Sequence, residues 1–300
     1  MEIFKKYWGL LLIGLILRLI IAGFTFHPDV TTPALASGVV FREGSLDFYG
    51  KSAKFAPTEI LDDLPLSYLI SVPFHAILRP FVSVEIEDAF FTQRSLLFGQ
   101  SSLWFYLIYA KFPLIIFDMA LGILLALSLA AYQKNILLIW MFNPVTLWAT
   151  AAIGQADIYP AFFVVLAWFL LKKGQLNWAA LSIGAGGAIK SAPFLLIPLI
   201  LAQTKNWTER IILLILSVIP YLLTVIPYLP VQEFRQEALL APQLSKMFYA
   251  TIPLSGIESV FIAPAILIVL YLLYFSKKRG AEDFLIFTIA IFLLTLVFTH

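Results

Sequence analysis

The stretch YWGLLLIGLILRLIIAGFTFHPDVTTP, residues 7–33, decides the fold. Its first part, 7–26, is a continuous apolar run broken chiefly by Arg18, with none of the alternation of a half-buried strand. A run of that length crosses a bilayer as a helix, which satisfies its backbone groups within the segment. The basic start MEIFKK resembles the front of a secretory leader. The run is too long for a leader core, however, and no small-x-small cleavage site precedes His27. We read it as an uncleaved first span. It then delivers His27, Pro28 and Asp29 just past its end, at the head of a long polar stretch.

Working outward, the composition agrees. Hydrophobic residues make up 61% of the chain and charged residues 13%, with a mean hydropathy of +0.93. Soluble domains are nearer half apolar and a quarter charged. The chain is therefore a polytopic membrane protein. Continuous apolar runs exclude a β-barrel, whose strands alternate. A net charge of +2 gives no footprint for nucleic acid. The absence of cysteine excludes disulfide and thiolate chemistry.

The expected fold class is all-α, a transmembrane bundle of about 9–11 segments in one domain over 1–300. Apolar segments lie near 7–26, 64–81, 95–111, 113–132, 135–152, 158–171, 177–190, 192–203, 210–229, 259–275 and 283–299. With the N-terminus cytoplasmic, the inner positions collect Lys5, Lys6, Arg79, Arg94, Lys134, Lys172, Lys173, Lys205, Arg210, Lys277, Lys278 and Arg279. The outer loops keep Arg42, Lys51, Lys54, Lys111, Arg235 and Lys246, and this bias favours that orientation. Segments 64–81 and 95–111 carry prolines and polar residues; they either cross or lie along the interface, and the parity is the same. Segments 177–190 and 192–203 are each about 20 Å long. They are expected to form a hairpin whose tip, AIKSAP, points outward. The long outer loops are 27–63 and 230–258. The final FTH, without a polar tail, suggests an N-terminal fragment of a longer chain.

Polar residues at membrane depth need a reason. Arg18 lies about eight residues from the outer end of its helix and Asp118 about five, so helix rise puts them at similar depth. A buried Arg18–Asp118 pair is one reading; phosphate binding by Arg18 is the other. Asn143–Pro144 interrupts a helix, and GQADIYP, residues 154–160, turns into the next. Asp157 either caps that helix or joins Gln155 in binding a polar ligand. In GAGGAIKSAPFLLIP, residues 184–198, the small residues allow close helix contact and Lys190 comes at the tip. Lys190 either snorkels to the headgroups or makes an anion site beside the start of the next helix. The first loop adds Arg42, Asp47, Asp62 and Asp63.

In that order, these features resemble the GT-C superfamily of integral-membrane glycosyltransferases. The resemblance rests on Arg18 in a first span leading to Asp29, the proline-containing LDDLPLSYLI at 61–70, KFPLIIFD at 111–118, Asn143–Pro144 with GQAD at 154–157, and Lys190 with Pro193. Order and spacing look like the polyprenol-phosphate-mannose-dependent mannosyltransferases, among them bacterial phosphatidylinositol-mannoside and eukaryotic GPI-anchor enzymes. The resemblance implies a GT-C-type bundle moving a hexose, mannose by this match, from a polyprenyl-phosphate donor to a lipid, glycan or protein acceptor on the outer face. It implies Asp29 as general base, Lys190 and Arg18 on the donor phosphate, and His27, Gln155, Asp157 and Arg42 near the substrates. No cofactor is assigned: His27 with Asp29 could bind a divalent ion, but two ligands are too few for a claim. The competing expectation is a transporter or flippase for a lipid-linked sugar, for which broken helices and buried charges also serve. Against it, the polar residues gather toward one face and no internal repeat is visible.

Overall fold

The computed structural model describes residues 2–240, 246–256, 258–276 and 280–299. Lys277, Lys278 and Arg279, and residues 241–245 and 257 of the second loop, lie outside the described residues. The described chain is almost entirely helical, with one short hairpin of β1 (Thr251–Pro253) and β2 (Ser259–Phe261).

Helix α1 (Glu2–Phe24) is the first span. The segment 27–63, expected as a long outer loop, is largely helical. After a 3₁₀ turn at Pro28–Val30 it forms α2 (Thr31–Glu43) and α3 (Phe48–Lys51). Gly44, at φ +60, ends α2 in the left-handed conformation that glycine adopts freely. Next come α4 (Pro65–Leu69) and α5 (Val72–Leu78), and then α6 (Val84–Thr92), bent by 119° from the pair before it. These pieces share a core with the first half of α7 (Ser101–Ser128), including Phe48, Tyr49, Tyr68, Phe90 and Tyr106.

Helix α7 corrects a second expectation. Segments 95–111 and 113–132 are not separate spans; most of both forms one 28-residue helix that runs through Pro113. A proline removes one N–H, which packed neighbours tolerate at membrane depth. Lys111 is consequently not in an outer loop but fully buried within α7. Arg79 and Arg94 also move: Arg79 bonds Glu87, which also holds Arg42 of α2, and Arg94 bonds Glu59. Both arginines belong to the layer built by 27–63, not to the opposite side.

Beyond α7, α8 (Gln133–Phe142) bends by 43° at Asn143–Pro144 into α9 (Pro144–Thr146) and π-helical turns at Leu147–Ile153. After these come α10 (Ile158–Lys172), α11 (Leu176–Ile189), α12 (Ile197–Leu201), α13 (Trp207–Val225), α14 (Ile262–Ser276) and α15 (Ala281–Thr299). They enclose a second core around Trp168, Ile183, Leu199 and Phe284. At Gly184 an added Cβ would lie 2.6 Å from the Ser217 carbonyl oxygen, so α11 meets α13 backbone to backbone.

Among the described residues, four helices are long and apolar enough to cross a membrane, or six if each bent pair counts as one span. Four further apolar helices of 10–17 residues fall short of that length. The ends are sorted: Lys172 at the end of α10 bonds the Ser128 carbonyl at the end of α7 and pairs with Glu282 at the start of α15. Asp157 and Lys190 lie at the opposite ends of α10 and α11 from Lys172 and Leu176.

Candidate functional site

Where α1 ends, the chain turns through His27 into the Pro28–Val30 turn. The His27 Nδ1 lies 3.0 Å from an Asp29 carboxylate oxygen, and both side chains are less than half exposed. From the other side, Gly154 at φ +85 closes the π-helical turns and brings Gln155 and Asp157 up beside Val30. A Cβ at Gly154 would sit 2.3 Å from Val30, so only glycine lets the two segments approach this closely. From below, α11 ends at Lys190, whose Nζ lies 2.7 Å from Asp157.

Asp29, Gln155, Asp157 and Lys190 line one polar pocket of about 340 Å³, together with Thr32, Glu59, Asp62 and Asp63. The pocket carries more carboxylates than cations. Asp63 is held by the Ser67 hydroxyl at 3.2 Å, and its backbone N–H donates to the Tyr68 hydroxyl at 3.1 Å. Burial pushes the Asp63 carboxyl above the usual carboxylate range, while the positive charge of Lys190 partly offsets this.

A second cavity, of about 580 Å³, opens from the same point. It is an apolar groove between α10 and α15, lined by Pro160, Val164, Trp168, Phe284, Phe292 and Leu296 among others, and Asp157 and Lys190 also line it. The Lys190–Asp157 pair therefore stands at the junction of a polar pocket and an apolar groove.

Of the residues expected at the site, Asp29, Gln155, Asp157 and Lys190 converge on the pocket, and His27 stands behind Asp29. Two do not converge. Arg18 is fully buried and committed: it pairs with Asp118 and donates to the carbonyls of Gly14, Met141 and Trp140. Four of its five N–H groups meet those acceptors and Arg18 lines neither cavity, so of its two sequence readings the buried pair is the arrangement seen. Arg42 is bound to Glu87 and Asp88 and stacks on Phe55, away from the pocket. Asp157 begins α10 without a side-chain cap, because its carboxylate is turned to Lys190. Glu59 and Thr32 join the pocket without having been expected there; Thr32 comes one 3₁₀ turn after Asp29, which is the signal that places it. Among the described residues no group of three His, Asp or Glu side chains forms a metal cluster.

No family model, no curated protein and no solved structure matches this chain.

Proposed function

We propose that the protein is a membrane glycosyltransferase of GT-C type. It would move a hexose, mannose by the resemblance, from a polyprenyl-phosphate donor to a hydroxyl of a lipid, glycan or protein. One observation carries the reading: an apolar groove and a carboxylate-lined pocket meet at a single lysine–carboxylate pair. A lipid-linked sugar has the same division, a hydrocarbon chain, then a phosphate, then a polyol. The chain lies in the α10–α15 groove, the phosphate at Lys190, and the sugar in the pocket beside Asp29.

In this reading Asp29 takes the proton from the acceptor hydroxyl. The acceptor oxygen attacks the anomeric carbon as the carbon–oxygen bond to phosphate breaks. The electron pair leaves with polyprenyl phosphate, whose charge Lys190 meets. A single displacement inverts the anomeric centre. Lys190 must exchange Asp157 for the phosphate, in whole or in part, when the donor arrives. The shorter helices α10, α11 and α14 then complete the bundle around the spans of full length.

Binding of polyprenyl phosphate against the free polyprenyl alcohol tests the phosphate assignment. Lys190→Met keeps the apolar stem and removes the charge, so the preference for phosphate is expected to fall by about tenfold or more, a charge-assisted contact being worth ~1.5–3 kcal/mol. Lys190→Arg retains part of it, with altered geometry. An undiminished preference in Lys190→Met makes the lysine a headgroup anchor only.

The orientation belongs to the same proposal: the N-terminus cytoplasmic, the pocket on the outer face of the cell membrane. The chain has no cysteine, so single cysteines report it directly. Leu46→Cys, at an exposed position of the 27–63 layer, is expected to react with an impermeant reagent from outside, and Lys173→Cys only after the membrane is opened. The reverse pattern inverts the topology.

A further inference from the structure

Lys111 is the one buried lysine among the described residues, and the transfer chemistry above leaves it unused. It projects from the middle of α7 into a cage of uncharged oxygens. Its Nζ lies 3.2 Å from the Ala22 carbonyl, 2.7 Å from the Thr25 carbonyl, 3.0 Å from the Thr25 hydroxyl, 3.0 Å from the Ala151 carbonyl and 2.8 Å from the Ala152 carbonyl. Among the described residues no carboxylate is in contact with it.

The oxygens come from two places only. Ala22 and Thr25 close α1; Ala151 and Ala152 close the π-helical turns at Leu147–Ile153. At a helix C-terminus the last carbonyls lack intrahelical partners and carry partial negative charge. One ammonium thus satisfies two helix ends at once. A neutral amine has only two N–H groups and a lone pair, which would face the carbonyls. The cage fits a cation, much as backbone carbonyls replace the hydration shell of a monovalent ion in channels.

Both helix ends lead straight into the polar pocket. His27 and Asp29 come just after Thr25; Gln155 and Asp157 come just after Ala152. The Thr25 hydroxyl also reaches the Ala151 carbonyl at 3.4 Å, and the Lys111 Cγ lies 3.6 Å from the Cβ position of Gly154. We propose that Lys111 is a positioning residue: its charge pins the end of α1 to the Leu147–Ile153 turns and so sets the spacing of Asp29 from Gln155 and Asp157. The pin is read from geometry; its bearing on turnover rests on the transferase reading.

Two measurements separate those layers. The first uses spin labels on Pro28→Cys and Ala156→Cys, which report the spacing of the two segments without reference to activity. Trp178→Cys with Ile211→Cys, on α11 and α13, serves as reference. In Lys111→Met the 28–156 distance distribution is expected to shift and broaden, and the 178–211 distribution to stay as in the parent. The second is transfer assayed with polyprenyl-phosphate mannose. Here turnover in Lys111→Met is expected to fall on the order of 100-fold, the cost of roughly 1 Å of misplacement, with donor KM nearly unchanged. Methylammonium or K⁺ added to Lys111→Ala, which opens the cage, is expected to recover the narrow 28–156 distribution and part of the turnover. An unchanged 28–156 distribution in folded Lys111→Met overturns the pin, whatever the activity. If that variant does not fold, Lys111→Gln carries the test: it can still donate to the carbonyls but has no charge, and an unaltered 28–156 distribution there overturns the proposal too. Absent transfer in the unsubstituted protein would remove the transferase reading and leave the distance result standing.

Discussion

Asp29→Asn is expected to lower hexose transfer by about 10²–10⁴-fold, the usual range for loss of a general base. The amide keeps the size of the carboxylate but cannot accept the acceptor's proton. Asp29 is the carboxylate of the pocket that directly follows α1, and among the described residues its one ion-pair contact is His27. Glu59 is held by Arg94, and Asp157 by Lys190. Donor binding should stay near that of the unsubstituted protein, because the phosphate contact is assigned to Lys190. The corresponding His27→Asn change is expected to be milder, since the imidazole orients Asp29 without replacing it. Turnover of Asp29→Asn, measured with a saturating lipid-linked hexose, checks this; a rate close to the parent's makes Asp29 an ordinary surface carboxylate.

Arg18→Met should be the most destabilising single change outside the pocket. It removes a fully buried guanidinium and leaves the buried Asp118 carboxylate with neutral side-chain partners alone, the Trp140 indole N–H 3.0 Å away and the Thr150 hydroxyl. Breaking a buried pair on one side typically costs ~3–5 kcal/mol, because the remaining charge is uncompensated. It also removes the bonds to the Met141 and Trp140 carbonyls through which Arg18 joins α1 to α8. The double change Arg18→Met with Asp118→Leu removes both charges and is expected to regain much of the loss. Thermal unfolding of the purified protein in detergent, followed by loss of the monomer peak, distinguishes the three proteins. A single variant as heat-resistant as the parent would show that the pair adds nothing to stability.

Much of the bundle and of the pocket is readable in the sequence, for physical reasons that can be named. Depth counting pairs Arg18 with Asp118, since two lone charges in apolar helices have few other partners. The glycines at 184–187 announce a close contact, seen against the Ser217 backbone. The turn at Gly154 and the tip at Lys190 fall at one end because α10 and α11 each run the length of the same core. The failures are equally specific. Pro113 looks like the end of a span, which leaves Lys111 in a loop; the surrounding helices carry α7 straight through it. Segment 27–63 lacks a long apolar run, so nothing in its hydropathy marks its helices. Helix α2 is short and built of small residues, and it is buried by α4, α5, α6 and α7 as part of a mixed polar and aromatic layer. Counting charges by parity cannot see that Arg79 and Arg94 fold back onto Glu87 and Glu59. The groove on α15 carries no periodic signal, because that helix is apolar on every face.

The most direct test is a transfer assay on the purified protein, reconstituted with radiolabelled polyprenyl-phosphate mannose or glucose and a panel of hydroxyl acceptors, glycolipid, oligosaccharide and peptide. Expected are a labelled product of inverted configuration at the anomeric carbon, one polyprenyl phosphate released for each hexose moved, and loss of both in Asp29→Asn. Movement of intact lipid-linked sugar between leaflets, with no bond broken and no dependence on Asp29, would contradict the transferase reading and favour a transporter.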